Sequence, residues 1–267
     1  MGTPIGNLGD FSPRAVQVLS ECDFIAAEDT RVTIKLLNHF GIKKPMISYF
    51  EHNRTERGGI ILERLLNGEN CALVSDAGMP IISDPGEDLT ALCHENNIKI
   101  CAVPGPCAFV TALAISGMPS GRFTFEGFLT KAKPNRREHL QELVNEKRTM
   151  IFYEAPHKLP ATLSDMAKFF GDRKIALVKE ITKIHENVER TTLFEAAEKY
   201  KDANLKGEYV LIIEGKPEEP ENEPSLDDAK TIALKLVNDG LSKNEAAKEA
   251  AKQTGLKKSD IYKSLQE

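Results

Sequence analysis

A chain of 267 residues, 41% hydrophobic and 28% charged, carries 35 Lys and Arg against 40 Asp and Glu, a formal net charge of −5. That length can bury one large core or two smaller ones, and its acidic balance argues against a protein that coats nucleic acid without selectivity, while leaving room for a local basic surface that meets one structured RNA. No apolar run approaches a membrane span and no signal-like segment opens the chain, so a soluble, cytoplasmic protein is expected. The cysteines, Cys22, Cys71, Cys93, Cys101 and Cys107, sit mostly in apolar runs with no CxxC or Cys/His spacing, and read as reduced core residues with no metal site.

Residues 2–7, Gly-Thr-Pro-Ile-Gly-Asn, form a loop with no strand in front of it. In an α/β chain such a loop follows a strand, so the first strand is expected to be missing or already begun. Ser12 and Pro13 then open a helix whose apolar face is Ala15, Val16, Val18 and Leu19. Residues 22–27 read as a strand that ends in Glu28, Asp29 and Arg31, and a helix over about 32–40 is stopped by Gly41. A short strand at 46–49 leads into Phe50, Glu51, His52, Asn53 and Arg54, polar enough to be a loop over a site. Gly58 and Gly59 are expected to interrupt the start of the helix that follows, which ends at Asn67 and Gly68.

The chain is organised around residues 71–86. Cys71, Ala72, Leu73 and Val74 read as a buried strand that stops at Ser75, Asp76, Ala77, Gly78, Met79 and Pro80. A strand ending in such a loop leaves backbone donors and acceptors at the carboxyl edge of a sheet, where open α/β sheets hold ligands; the alternative is an ordinary strand-to-helix connection. A helix over 87–95, a strand over 98–103, a sharp junction over 104–108 and a helix of small residues over 109–116 follow. Turn residues cluster at 117–121, which divides an N-terminal α/β domain (1–117) from a second α/β domain (118–216).

In the second domain a strand over 122–128 precedes a basic loop with Lys131, Lys133, Arg136 and Arg137, read either as a solvated surface or as a contact for nucleic-acid phosphates. The strand over 149–153 ends in Glu154, Ala155, Pro156, His157 and Lys158; a helix to Phe170, a strand over 174–179, a polar loop over 180–186 and a strand over 207–213 complete the pattern. Residues 217–228 are rich in Pro and Glu and read as an acidic linker. The tail, 229–267, has eight lysines against five acids and amphipathic helices over 226–237, 242–253 and 258–265, with a capping box at Ser242 and Glu245. Helix-turn-helix-like RNA docking, a packing appendage and a dimer arm are all open readings of it.

No GxGxxG, P-loop or HExxH occurs, no serine sits in a nucleophile elbow, and no cysteine has an evident His partner. What remains is a ligand held by backbone and small residues at several strand ends, a site that orients a reactive cofactor rather than one with its own nucleophile. Three charges at a strand end facing a cleft are costly without a partner, so Glu28, Asp29 and Arg31 are placed near the substrate as catalytic candidates, with Glu154 and His157 behind them. The competing reading has Asp29 capping the next helix and Arg31 pairing with Glu28.

Taken together, TPIGNLGD (3–10), AAEDTR (26–31), LVSDAGMPIISDPG (73–86), VPGPCA (103–108), FYEAPHK (152–158), KEITK (179–183) and GEYVLIIEG (207–215) resemble the ribosomal-RNA-directed members of the tetrapyrrole methylase family, the class III S-adenosylmethionine methyltransferases. The resemblance implies two α/β domains with S-adenosylmethionine in the cleft between them, a small helical C-terminal extension, and 2′-O-methylation of a cytidine in 16S rRNA, as naked RNA or in the 30S subunit, by a homodimer. Carried over by motif, Pro4, Asp76, Gly78, Met79, Ile82, Cys107, Ala108, Tyr153, Glu154 and Tyr209 contact the cofactor. Cys107 stands where a small polar residue is expected, so its contact is through backbone. Competing functions are a small-molecule or tetrapyrrole methylase of the same fold and a non-catalytic RNA-binding assembly factor.

Overall fold

Phe24, Ile25, Ala26 and Ala27 have no exposed surface at all, the signature of a strand covered on both faces as in parallel α/β sheets. In the computed structural model, which describes residues 1–217 and 225–266, α1 (Pro13–Glu21) leads into this strand, β1 (Phe24–Ala27). α2 (Thr30–His39), β2 (Met46–Ser48), α3 (Arg54–Leu66), β3 (Cys71–Val74), α4 (Glu87–Glu95) and α5 (Ala108–Ser116) follow. The three strands form a parallel sheet in the order β2-β1-β3. Ala15, Leu19 and Leu37 of α1 and α2 cover one face, and Ile61, Leu89 and Cys93 of α3 and α4 cover the other.

Three expectations are corrected here. α3 runs without a break through Gly58 and Gly59; Gly58 brings the helix against the ring of buried Tyr49, where an added Cβ would already touch at 4.0 Å. No strand forms at 98–103. The Met1 amino group donates to the Leu73 carbonyl at 2.8 Å and Gly2 N–H to the Val103 carbonyl at 3.1 Å, too little pairing for a ladder. Finally, α2 begins at Thr30, not Val32, with Asp29 as its cap.

β4 (Phe123–Phe128), α6 (Lys133–Glu142), β5 (Thr149–Glu154), α7 (Leu159–Phe170), β6 (Lys174–Lys179), β7 (Asn187–Thr192), α8 (Leu193–Tyr200) and β8 (Tyr209–Ile213) build a second sheet, ordered β4-β5-β8-β6-β7. β4 and β5 are parallel, and β8 is antiparallel to both strands beside it. Leu140, Leu159, Leu163, Met166 and Leu193 cover one face. Ala112 and Leu113 of α5, with Ile5, pack on the other against Ile151, Val178, Val210 and Ile212. Thus α5 and the N-terminal loop tie the first sheet to the second, and residues Met1–Lys216 are one compact unit. β7 and α8 escape the sequence reading because Asn-Val-Glu-Arg-Thr-Thr is an edge strand with little apolar content. Of the basic residues at 131–137, Arg136 turns inward onto buried Asp165.

Residues Pro217–Glu267 are a second unit. α9 (Leu226–Asn238) starts inside the stretch expected to be linker, capped by Ser225 with Asp228; residues 218–224 of that linker lie outside the described residues. α10 (Lys243–Thr254), with the expected Ser242–Glu245 box, and α11 (Lys258–Ser264) complete it. Ala229, Ala233, Ala246, Ala247 and Ala250 let the helix backbones approach closely around Ile261 and Leu265. Among the described residues no helix is long and apolar enough to cross a membrane.

Candidate active site

A cavity of about 460 Å³ opens where the carboxyl ends of β1, β3, β5 and β6 meet the start of β8, within the range of small-molecule sites. β8 contributes its first residue because it runs antiparallel, registering Tyr209 beside Glu154 on one side and Lys179 on the other. Among the expected residues, Glu28, Asp76, Gly78, Met79, Ile82, Cys107, Ala108, Tyr153, Glu154 and Tyr209 all line it. Pro4, Asp29, Arg31 and His157 do not; Ile5, the neighbour of Pro4, does.

The loop after β3 is pinned from the N-terminus. Thr3 N–H donates to the Gly78 carbonyl at 2.9 Å, Gly78 N–H returns a bond to Thr3 at 3.1 Å, and the Thr3 hydroxyl donates to the Ser75 carbonyl at 3.1 Å. Beyond it the backbone is left-handed at Ile81 (φ 79°) and Ser83 (φ 70°), conformations that cost a non-glycine residue free energy and persist only where their surroundings over-determine them. Gly86 (φ 139°) supplies part of that determination: a Cβ there would lie 2.8 Å from Ile81 Cγ1 and 2.9 Å from Leu73 Cδ2.

Three carboxylates converge on this wall. Asp76 N–H donates to Glu28 Oε2 at 3.2 Å, and Asp29 N–H donates to Asp76 Oδ1 at 3.0 Å. Burial pushes the Glu28 and Asp76 carboxyls up. Asp84 is pushed to about 6, by burial first and then by the charges of Glu28 and Asp76, against a hydrogen bond from Ser75. Asp29 and Arg31 are engaged with each other: the Arg31 guanidinium grips Asp29 at 2.6 Å and holds its carboxyl down at about 2. Asp29 also caps α2 through Arg31 N–H at 2.8 Å, and the Arg31 side chain is 87% exposed. The capping half of the competing reading therefore holds, with Asp29 in place of Glu28 as the partner of Arg31.

On the opposite wall Glu154, 2% exposed, receives bonds from Thr162 Oγ1 at 2.5 Å and Ala155 N–H at 2.8 Å. The Tyr153 hydroxyl accepts from Phe109 N–H at 3.1 Å, in the first turn of α5, and burial pushes it up to about 12. Lys183 is shared between Glu180 at 2.9 Å and Glu208 at 2.8 Å. Sequence reasoning missed Ile5, Asp84, Phe128, Ile181, Lys183 and Glu208 in the lining. Asp84 sits in the same small-residue loop as Asp76, and Ile181 and Lys183 in the polar loop after β6, so position at a strand end was the available signal. No group of His, Cys, Asp and Glu suited to hold a metal ion occurs among the described residues.

Residues 1–197 match the family of tetrapyrrole (corrin/porphyrin) methylases. The chain is 46% identical over 265 residues, 98% of its length and 94% of the relative, to the ribosomal RNA small subunit methyltransferase I of Synechocystis sp.. Against the protein of the same name from Escherichia coli O157:H7 it is 43% identical over 264 residues, covering 98% and 91%. Among solved structures it is similar in fold to a cobalt precorrin-4 methyltransferase (TM-score 0.59, 16% identity, 80% of this chain and 92% of that one). A uroporphyrin-III C-methyltransferase from Thermus thermophilus complexed with S-adenyl homocysteine is also similar (TM-score 0.52, 14% identity, 78% and 92%).

Proposed function

Because the chain belongs to the tetrapyrrole methylase family, among its ribosomal RNA small subunit methyltransferases I, we infer that it transfers a methyl group from S-adenosylmethionine to the ribose 2′-oxygen of a cytidine in 16S rRNA. The observation that carries this reading is the convergence on one cavity of loops and strand ends that lie far apart in the sequence. The donor set fits the cofactor: burial makes Glu28, Asp76 and Asp84 costly to ionise, the charges of Glu28 and Asp76 add to the cost at Asp84, and the lining's lysine, Lys183, is already held by Glu180 and Glu208. A cationic ligand relieves that cost. Met79, Cys107, Ala108, Tyr153 and Tyr209 offer the apolar and aromatic surface for its remainder.

S-adenosylmethionine supplies an activated methyl on a sulfonium, so the protein's part is alignment and removal of one proton. Alignment contributes on the order of 7 kcal/mol in favourable cases. Asp84 is the proposed proton acceptor: a carboxyl near 6 is ionised at neutral pH and still basic enough to take a proton as the ribose oxygen is alkylated. Glu28 stands beside it and keeps that carboxyl raised. Exposed Lys131, Lys133 and Arg137 suit rRNA phosphates. Val110 (50% exposed) and Ile115 (43%) on α5 offer an apolar face for a second copy of the chain. An rRNA acceptor places the reaction in the cytoplasm.

The test is to incubate the protein with 30S subunits lacking the modification, or with 16S rRNA alone, and labelled cofactor, and to map the methylated nucleotide. One cytidine 2′-O-methyl is expected. Label on a tetrapyrrole but not on rRNA, or cofactor binding without transfer to rRNA, would overturn the assignment.

A further inference from the structure

A second recess of about 500 Å³ lies beside the cofactor cavity, and the two share Glu28, Ser83 and Asp84 as a common wall. Its other side is Phe50, Glu51, His52 and Arg54, the segment between β2 and α3. This segment is firmly held. Phe50 N–H donates to Asn53 Oδ1 at 2.8 Å, Asn53 Nδ2 donates to the Ser48 carbonyl at 3.1 Å, and buried Tyr49 donates to Asp88 at 2.7 Å. Phe50 is nonetheless 38% exposed, with the His52 ring edge-on to it at 6.3 Å.

We propose that this recess receives the target nucleoside, turned out of its RNA stack, with its ribose at the wall shared with the cofactor cavity and its base against Phe50 and His52. The inference rests on the rRNA reading above. A ribose oxygen seated in this recess meets the cofactor cavity at Glu28, Ser83 and Asp84, and a stacked or paired nucleotide cannot enter a space of this size. RNA-binding proteins read such bases by splaying them onto aromatic side chains. The recess is acidic, with Glu51 and Glu87 beside Arg54, which is itself engaged by Glu51 at 3.2 Å and by Asp88 at 3.8 Å. It therefore suits the neutral nucleoside and not its phosphates. Carboxylates accept a hydrogen bond from the exocyclic amine of cytosine and have no donor for the carbonyl of uracil, so the same lining favours a cytidine.

The experiment compares the wild-type protein, Phe50→Ala and Phe50→Tyr on 30S subunits lacking the methyl group, with thermal stabilisation by S-adenosylmethionine measured on each. Base stacking on an aromatic side chain predicts a loss in kcat/KM of about tenfold or more for Phe50→Ala, with cofactor stabilisation intact and Phe50→Tyr near wild type. In parallel, photoreactive 5-iodocytidine, which keeps the exocyclic amine, placed at the methylated position is expected to cross-link the wild-type protein within residues 50–54. Transfer by the wild type with unchanged kcat/KM in Phe50→Ala, or a cross-link mapped elsewhere, overturns the recess alone; a wild-type protein that transfers no label to rRNA overturns both readings.

Discussion

On the first-sheet wall of the cavity the backbone passes through left-handed conformations at Gly78, Ile81, Ser83 and Gly86, and Glu28, Asp76 and Asp84 keep carboxyls that burial pushes upward. On the second-sheet wall Glu154, at the end of β5, is answered by Thr162 and Ala155, and the loop after β6 is left-handed at Glu180 (φ 50°) and Thr182 (φ 67°). Both walls present carboxylates to one space. Both also carry left-handed non-glycine residues; the difference is that carboxyls raised by burial are concentrated on one side, where a cationic ligand changes the balance most, while Glu154 on the other is already answered by hydrogen bonds. Proton transfer therefore belongs to the first wall.

The sharpest break of this comparison is Asp84→Asn, which should lower kcat about a hundredfold to ten-thousandfold if that carboxylate takes the proton. In the wild type kcat/KM for the cofactor should fall as pH drops below about 6, the Asp84 value in the free protein, and that limb should vanish in the variant. The stability sign is opposite to that of an ordinary ion-paired aspartate. The folded chain holds the Asp84 proton more tightly than the unfolded one, so stability is lost as pH rises from the ordinary carboxylate value of 3.8 through about 6. Asp84→Asn should thus raise Tm at neutral pH and not below about pH 4; a variant less stable than wild type at neutral pH would contradict the assignment. Next in size, Gly86→Ala forces a Cβ onto Ile81 and Leu73. It should displace the loop at a cost of roughly 1–3 kcal/mol and reduce kcat/KM on the order of a hundredfold, read as a lost thermal shift with cofactor. Smallest, Thr162→Val removes one donor from buried Glu154 and should cost about 1–3 kcal/mol in unfolding free energy, with kcat retained. A large loss of turnover in Thr162→Val would show that the second wall is not merely a scaffold.

Much of this was legible because the relevant signals are local. Cys71 to Val74 is apolar and stops at a loop of small residues, Ser12 and Pro13 open α1, and Ser242 and Glu245 box α10, each following from the residues themselves. What was not legible depends on neighbours far along the chain. Residues 98–103 look like a strand, but only Gly2 N–H is there to pair with Val103. Asn187 to Thr192 shows no strand pattern of its own, yet β6 offers it a full antiparallel register. Charge at the end of β1 pointed to Glu28, Asp29 and Arg31 together, and only the folded geometry separates Glu28, in the cavity wall, from the Asp29–Arg31 clasp outside it. Asp84 gave no sign of its own, because its altered proton affinity arises from burial and from Glu28, which is remote in sequence.

The position of β8 has a consequence for synthesis. Among the described residues it is the last strand to be made, yet it sits between β5 and β6, which precede it and do not pair with each other. Until residues 209–213 emerge, those two strands present open backbone edges, the exposure that favours mispairing. Tyr209, which closes the cavity, arrives on the same strand. A nascent chain therefore cannot complete the ligand cavity before its second sheet is zipped shut, and any truncation that removes β8 takes the sheet and the cavity together.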